Sequence, residues 1–316
     1  MATITRSDQE TEAAPIVPPG LVMAGVILFW GMGPPVSKLI TAPAMIAALY
    51  RFWLSVPLLL GLSWLLGCPP RWPVLRRTAL AGAAFGINMV FVFLALNSAA
   101  VAVLSVITTL QPGFILLVAG PILGERPGRW HVAWTTVAIA GTALVVLGAG
   151  AQVHTSAAGV AYAVAAMVAF TLYFLLTKRA RSGPAGEQIH PIEWMTGISL
   201  FAALAVTPLA VATSSAADYR AVAGYDWLWL AVVVLVTGTA GHVMMAWTHR
   251  YIDASRSSLY LLAMNIVAIG AAWPIHHEPL GWTQALGGVI VFGAVAAVIS
   301  RPVQTVEPLA PVPAVE

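Results

Sequence analysis

Ser105–Pro127 reads SVITTLQPGFILLVAGPILGERP, and Ser258–Pro279 reads SLYLLAMNIVAIGAAWPIHHEP. One constant offset pairs Ser105 with Ser258, Pro121 with Pro274 and Glu125 with Glu278. Both stretches are apolar over nearly their whole length, and each can cross ~30 Å of hydrocarbon, which takes about 20 helical residues. A second correspondence sets WGMGPPVSK at Trp30–Lys38 against FTLYFLLTK at Phe170–Lys178. It falls where a division into two halves of five spans puts it. The sequence therefore reads as a duplicated membrane unit.

Composition agrees. Of 316 residues, 59% are apolar and 9% charged, against roughly 25% charged in a soluble domain. Residues 78–124 and 130–177 contain no Asp, Glu, Lys or Arg, and each stretch has the length of two crossings. Turn residues and charges divide the chain into spans at 20–40, 43–66, 77–97, 100–123, 130–149, 157–177, 191–213, 226–248, 255–276 and 281–300. The expected fold is an all-α polytopic membrane protein with ten transmembrane helices. Its parts are a tail at 1–19, a five-helix repeat at 20–149, a second at 157–300 and a tail at 301–316. A repeat with an odd number of spans enters the membrane from the opposite side to its twin, so the halves are expected to be inverted. No room is left for a soluble domain.

Of the 15 cations, all but Lys38, Arg51 and Arg220 fall on one face under this partition. The excess of Lys and Arg in cytoplasmic loops places both termini in the cytoplasm. The apolar run after residue 19 is too long for a signal-peptide core and lacks a small-x-small cleavage site, which predicts a retained first helix. The Pro- and Val-rich tail from Pro302 is expected to be disordered. A net charge of +3 spread over loops does not imply nucleic acid. The single cysteine, Cys68, can form neither an intramolecular disulfide nor a multi-thiolate metal site.

The chain resembles the drug/metabolite transporter superfamily, in its EamA-like ten-helix branch, over residues 20–300. The resemblance is carried by Trp30-Gly31 and Lys38, by Tyr50-Arg51-Phe52, by ALNSAA from Ala95, by QPGFILLVAGPILGER at Gln111–Arg126 and by HHEPLGW at His276–Trp282. Pro112 ahead of Glu125 is its most specific feature. The second half keeps Glu278 but has Asn265 in the place of the proline, an amide where the family has a backbone break. The resemblance implies a secondary active transporter, an exporter of a small organic metabolite or drug, working by alternating access in the bacterial cytoplasmic membrane. It implies a cavity between the halves, a small organic solute and the lipid bilayer as partners, no cofactor and no enzymatic activity. The oligomeric state is open.

Polar groups at membrane depth face protein or a water-filled cavity, because hydrocarbon offers them no partner. That rule singles out Asn88, Gln111, His242 and Asn265, with the hydroxyls of Tyr173 and Tyr260. For each amide, cavity lining competes with interhelical hydrogen bonding worth ~0.6 kcal/mol. His242 is read as pore lining, as a proton carrier or as a helix-to-helix donor. Trp30, Trp247 and Trp273 are candidate cavity walls, while Trp72, Trp130, Trp227, Trp229 and Trp282 lie where interfacial aromatic belts occur. Arg51, well inside the second span, is either an anion contact or an anchor reaching the outer interface. Pro34-Pro35 are expected to break the first helix and free carbonyls, with Lys38 as an outer anchor. Glu193, just after Pro191, is read as a dipole-stabilised cap or a coupling acid. Glu125 and Glu278 are expected to have a structural role in turns.

Other chemistries find little support. His276 and His277 are adjacent and point about 100° apart on a helix, unlike a zinc-binding i, i+4 pair. No phosphate loop, HExxH or GxSxG motif is present. Two alternatives to transport remain. One is a membrane-embedded enzyme using His242, or His276-His277-Glu278, with Ser105; the other is a non-transporting sensor.

Overall fold

The computed structural model describes residues 17–111, 114, 128–148, 156–181, 189–248, 251–252, 254–277 and 281–299. Among these residues every regular element is helical. The first half contributes α1 (Pro19–Gly31), α2 (Gly33–Ser37), α3 (Ala44–Leu65), α4 (Trp72–Ser98), α5 (Val101–Thr108) and α6 (Arg129–Gly148). The second contributes α7 (Ala157–Arg181), α8 (Pro191–Thr213), α9 (Ala216–Arg220), α10 (Tyr225–Val232), a π-helical stretch at Val233–Ala240, α11 (Gly241–Thr248), α12 (Ala254–His276) and α13 (Trp282–Ile299).

Pro19–Ser37, Ala44–Leu65, Trp72–Ser98, Ala157–Arg181, Pro191–Thr213 and Tyr225–Thr248 are each long and apolar enough to cross a membrane. Shorter apolar helical stretches lie at Val132–Gly141, Ala263–His276 and Trp282–Ala294. The expected fourth span, 100–123, is described only through Gln111 and at Phe114, so the total of ten rests partly outside the described residues. Glu125 and Glu278 also lie outside them, as do both tails but for Val17, Pro18 and Pro19.

Several boundaries differ from expectation for local reasons. Helix α4 starts at Trp72 rather than 77, because Pro73 suits a first helical turn and Arg76 and Arg77 stay exposed there. Helix α7 continues past 177 to Arg181, since Lys178, Arg179 and Arg181 complement the partial negative charge of its C-terminal end. Pro34 and Pro35 open a new short helix, α2, instead of ending the span. The carbonyl of Pro35 is not free: it accepts a hydrogen bond from His276 Nε2 at 2.8 Å.

The packing treats the two halves alike. Helix α4 lies along α7, and α11 lies along α1; α5 touches α7, and α12 touches α1. Three further pairs join counterparts, α3 with α8, α5 with α12 and α6 with α13. Exchanging the halves maps this set of pairs onto itself. Close approach is made by small residues, which suit helix contacts in lipid, where packing rather than water exclusion drives association. A Cβ on Gly82 would stand 2.7 Å from the Ile198 carbonyl of α8, so α4 and α8 can meet there only with glycine. Around this core the outward side chains remain apolar: Leu21, Leu80, Val211 and Val289 are exposed, as befits a surface solvated by hydrocarbon.

Two carboxylates tie the halves together at opposite ends of α3. Beyond its C-terminal end, Glu193 accepts from the Arg71 backbone N–H at 3.0 Å, from Nε at 2.9 Å and from Nη2 at 2.9 Å. Before its N-terminal end, Asp226 accepts from the Thr41 backbone N–H at 2.8 Å, and its two oxygens lie 3.2 and 3.1 Å from the Thr41 hydroxyl. Glu193 is therefore more than a cap of its own helix. Cys68 lies beside the first tie, its Sγ 3.4 Å from His190 Nδ1. Burial, and then the neighbouring Glu193 carboxylate, push the Cys68 thiol above its ordinary range. Both disfavour the thiolate, the form that reacts with maleimides. Replacing Glu193 by Gln removes the second influence and loosens the Arg71 fork. Labelling of Cys68 at pH 7.5 should then become faster than in the parent protein, with the gap closing as pH rises and both thiols ionise.

Candidate functional site

A cavity of about 110 Å³ lies between the halves. At ~10–15 Å³ for each water-sized group, it holds a solute of roughly seven to eleven non-hydrogen atoms. Trp30, Gly33, Pro34 and Ser37 line it from α1 and α2, Arg51 from α3, Asn88, Met89 and Val92 from α4, and Leu104, Ser105, Thr108 and Gln111 from α5 and the residues after it. From the second half come Met167 and Phe170 of α7, Thr237 of the π-helical stretch, His242 of α11, and Met264 and Asn265 of α12. Apart from Arg51, every contributing segment has its counterpart in the other half. Trp30 and Phe170, equivalent in the sequence repeat, meet edge to face at 5.9 Å between ring centroids.

The polar groups are only partly satisfied by protein. Asn88 Nδ2 donates to the Ala166 carbonyl at 2.7 Å, tying α4 to α7, while its Oδ1 has no partner. Gln111 Nε2, Ser105 Oγ and Trp30 Nε1 are likewise buried without a hydrogen bond. Thr108 Oγ1 sits 2.8 Å from the Ser105 carbonyl and 3.0 Å from Asn265 Oδ1, and its single proton serves one acceptor at a time. His242 is packed against Trp30 and Phe85, with ring centroids 4.5 and 4.6 Å away. Its Nδ1 shares a hydrogen bond with the Tyr173 hydroxyl at 3.3 Å. The π-helical stretch, a feature common at functional sites, turns Thr237 and His242 toward the same space. Gly241 makes room for the indole: a Cβ there would stand 2.6 Å from Trp30 Cδ1.

Arg51 is buried at 6% exposure instead of reaching an interface. Nη1 donates to Met89 Sδ, and the guanidinium lies 5.7 and 5.6 Å from the ring centroids of Phe52 and Phe85. The described acids are Glu193, Asp218 and Asp226, and they hold Arg71, Ser215 and Thr41. None of them reaches Arg51. Two ring faces supply about 1–2 kcal/mol each at best, whereas burying an ion costs several kcal/mol. An anionic or polar occupant of the cavity would offset the remainder.

The structure thus brings Trp30, Arg51, Asn88, Gln111, His242 and Asn265 to one space. It places Tyr173 one layer behind, stacked on Phe85 at 4.7 Å. Two expected cavity walls lie elsewhere. Trp273 is 60% exposed on the outside of α12, and Trp247 lies against Tyr251 with ring centroids 4.5 Å apart in a tilted arrangement, so both indoles leave the interior to smaller side chains. Tyr260 belongs to α12, but its side chain is outside the described residues. Ser105, Thr108 and Thr237 were not foreseen as lining residues; a hydroxyl that can bond its own helix carries no signal of burial in a sequence. Ser105 has no histidine as a hydrogen-bond partner among the described residues, and His276 is engaged with Pro35, so a serine–histidine pair is not assembled.

A sequence model of the EamA-like transporter family matches residues 19–147 and again 157–300. The chain belongs to the EamA-like transporter family. Members of the family are membrane transporters rather than enzymes, in keeping with the drug/metabolite transporter superfamily, so this is a multi-pass membrane transporter acting on a small solute. The family match covers two successive repeats, which agrees with the paired packing of the helices. A solved structure titled only "Crystal structure of protein" superposes with a TM-score of 0.66 at 18% identity, covering 89% of this chain and 96% of that one. At that identity the likeness concerns the fold alone. No protein of curated function matches the chain.

Gly241→Ala tests the fit of this EamA-like cavity. Overpacking of this kind costs about 1–3 kcal/mol when the neighbour can shift, and the Trp30 indole can shift only into the cavity. The variant should melt a few degrees lower in detergent and bind solute more weakly. Trp30→Phe in the same chain should recover the melting temperature.

Proposed function

We propose that this chain is a secondary active transporter that exports a small organic solute across the bacterial cytoplasmic membrane, with both termini in the cytoplasm. The observation that carries the proposal is the largely apolar cavity with unsatisfied polar groups, lined by matching segments of both halves. Trp30, Asn88, Gln111, His242 and Asn265 are the solute contacts, with Arg51 as the anion contact and Tyr173 as support for His242. Unpartnered donors and acceptors in an apolar setting favour a ligand that replaces water there.

Residues 20–149 and 157–300 are the two inverted repeats. The self-mapping set of helix pairs supports this, as does the meeting of Trp30 with Phe170. Two halves of similar packing can exchange conformations, so a state open to one side has a counterpart open to the other. The ties Glu193–Arg71 and Asp226–Thr41 cross between halves at opposite ends of α3. Breaking one while keeping the other gives each half a hinge and a latch. No carboxylate is among the described lining residues, so proton coupling through Asp or Glu has no described seat in the cavity. His242, solute exchange and facilitated diffusion are the remaining drives.

The test is flux in proteoliposomes over a panel of amino acids, nucleosides, amines, organic acids and aromatic drugs, with and without a pH gradient. Asn265→Ala and His242→Ala should each raise the KM of the transported solute about tenfold, the loss of one buried hydrogen bond, with insertion unchanged. Normal kinetics in both variants, or no flux of any panel member in the parent protein, would overturn the proposal.

A further inference from the structure

We propose that the solute held in this cavity is a small monocarboxylate with an apolar body, its carboxylate seated against Arg51. The inference rests on the reading of the cavity as the solute site and adds the chemical class. Three observations converge on it. First, Arg51 is buried in the wall, and the described acids are all engaged elsewhere. An uncompensated guanidinium favours a ligand of charge −1 and disfavours an amine, for which no carboxylate lines the space among the described residues. Second, Gln111 Nε2 is a hydrogen-bond donor without an acceptor, and the Ser105 hydroxyl is unpartnered as well. A carboxylate, which only accepts, can use a fork of N–H groups and additional donors at once. Third, the larger part of the wall is apolar and soft. Met89, Val92, Leu104, Met167, Phe170 and Met264 offer methyl, thioether and ring surface but no further charge. The cavity of about 110 Å³ suits an acid of the size of pentanoate to 3-phenylpropionate.

Asn88 Oδ1 is the exception among the unpartnered groups, since it accepts. It suits a hydroxyl or N–H on the body of the acid, away from the carboxylate. That makes a substituted acid a better ligand than a plain hydrocarbon one, and it leaves the role of Arg51 unchanged.

The probes are 3-phenylpropionate, 3-phenylpropionamide and 3-phenylpropylamine, with the same body and a negative, neutral or positive head, together with butyrate and 4-methylpentanoate for smaller bodies. Binding to the full-length protein in detergent at pH 8 is read by ligand-induced thermal shift and by isothermal titration, and counterflow in proteoliposomes is read separately. A carboxylate of the series should bind about tenfold or more tighter than its amide, the range for a hydrogen bond to a charged group, and the amine should not compete. Arg51→Gln should reduce the preference for acid over amide to about twofold or less, and Arg51→Lys should retain part of it because the charge remains. Melting of each variant without ligand shows whether it is folded, and the acid–amide comparison in the parent protein stands without any variant.

Equal binding of acid and amide, tighter binding of the amine, or absence of binding by every carboxylate of the series would overturn the inference. So would a folded Arg51→Gln protein with the parent's preference. Counterflow of the amine or amide in place of the acids would sink the carboxylate assignment and leave the transporter reading standing. Tight binding of acids with no flux of any solute would do the reverse.

Discussion

The structure is governed by the lack of a hydrogen-bonding solvent in the bilayer core. A donor or acceptor at that depth must meet protein or a pocket of water, and each one left alone costs several kcal/mol. Most of this chain meets the constraint by having nothing to satisfy: helices close their own backbone bonds, and their outer faces are apolar. Many threonines within spans bond carbonyls of their own helix, as Thr171 does with Met167 and Thr207 with Ala203. Against that background four groups without partners gather in one place, while the Trp194 indole N–H and the Thr239 hydroxyl are unpartnered away from it. Trp30, Asn88, Ser105 and Gln111 are all orphaned on the same cavity, and Arg51 adds a charge to it. Concentrating the cost there makes sense if a solute or water discharges it during the transport cycle.

The constraint also explains which features were legible in the sequence. Amides and an imidazole inside apolar spans stand out because there are so few of them, and Asn88, Gln111, His242 and Asn265 all reach the cavity. Their spacing in the repeat carried the remaining information, since Gln111 and Asn265 fall one position apart in equivalent spans. Aromatic residues did not yield to the same reasoning. An indole is tolerated at the lipid surface, at the interface or in a pocket, so Trp273 on the outside of α12 and Trp30 beside His242 look alike in sequence. Arg51 was legible as an anomaly but not as a wall residue. Its depth in the span fits either an anchor or a pocket, and only the seats of Phe52, Phe85 and Met89 around it decide between them.

Charge at the ends of the helices followed a different logic. Glu193 sits where a helix dipole favours an acid, which is a local reason sufficient to explain it. The fork to Arg71 joins residues far apart in the chain, and no local pattern announces such a pair. The same holds for Asp226 and Thr41. In both cases a carboxylate near the start of a helix in the second half accepts a backbone N–H from a connecting segment of the first. An uncovered N–H at a helix start needs an acceptor, and a duplicated fold presents that need twice, once at each end of α3.

The ties and the cavity place opposite demands on stability. The ties join segments at the helix ends, with buried carboxylates each held by more than one donor, so opening either one requires new partners for its charge. The cavity groups lie deep, and there only a ligand or trapped water can compensate them. A filled cavity therefore stabilises the closed packing around it more than an empty one does, by the mass-action rule that whatever binds the folded state holds it. Arg51 sharpens this coupling, because its desolvation is the largest single cost in the wall and its relief depends on the charge of the occupant. On the carboxylate proposal, the residue that makes the empty cavity least comfortable is also the one that tells an anionic cargo from a neutral or cationic one. Discrimination and conformational response then arise from the same buried charge.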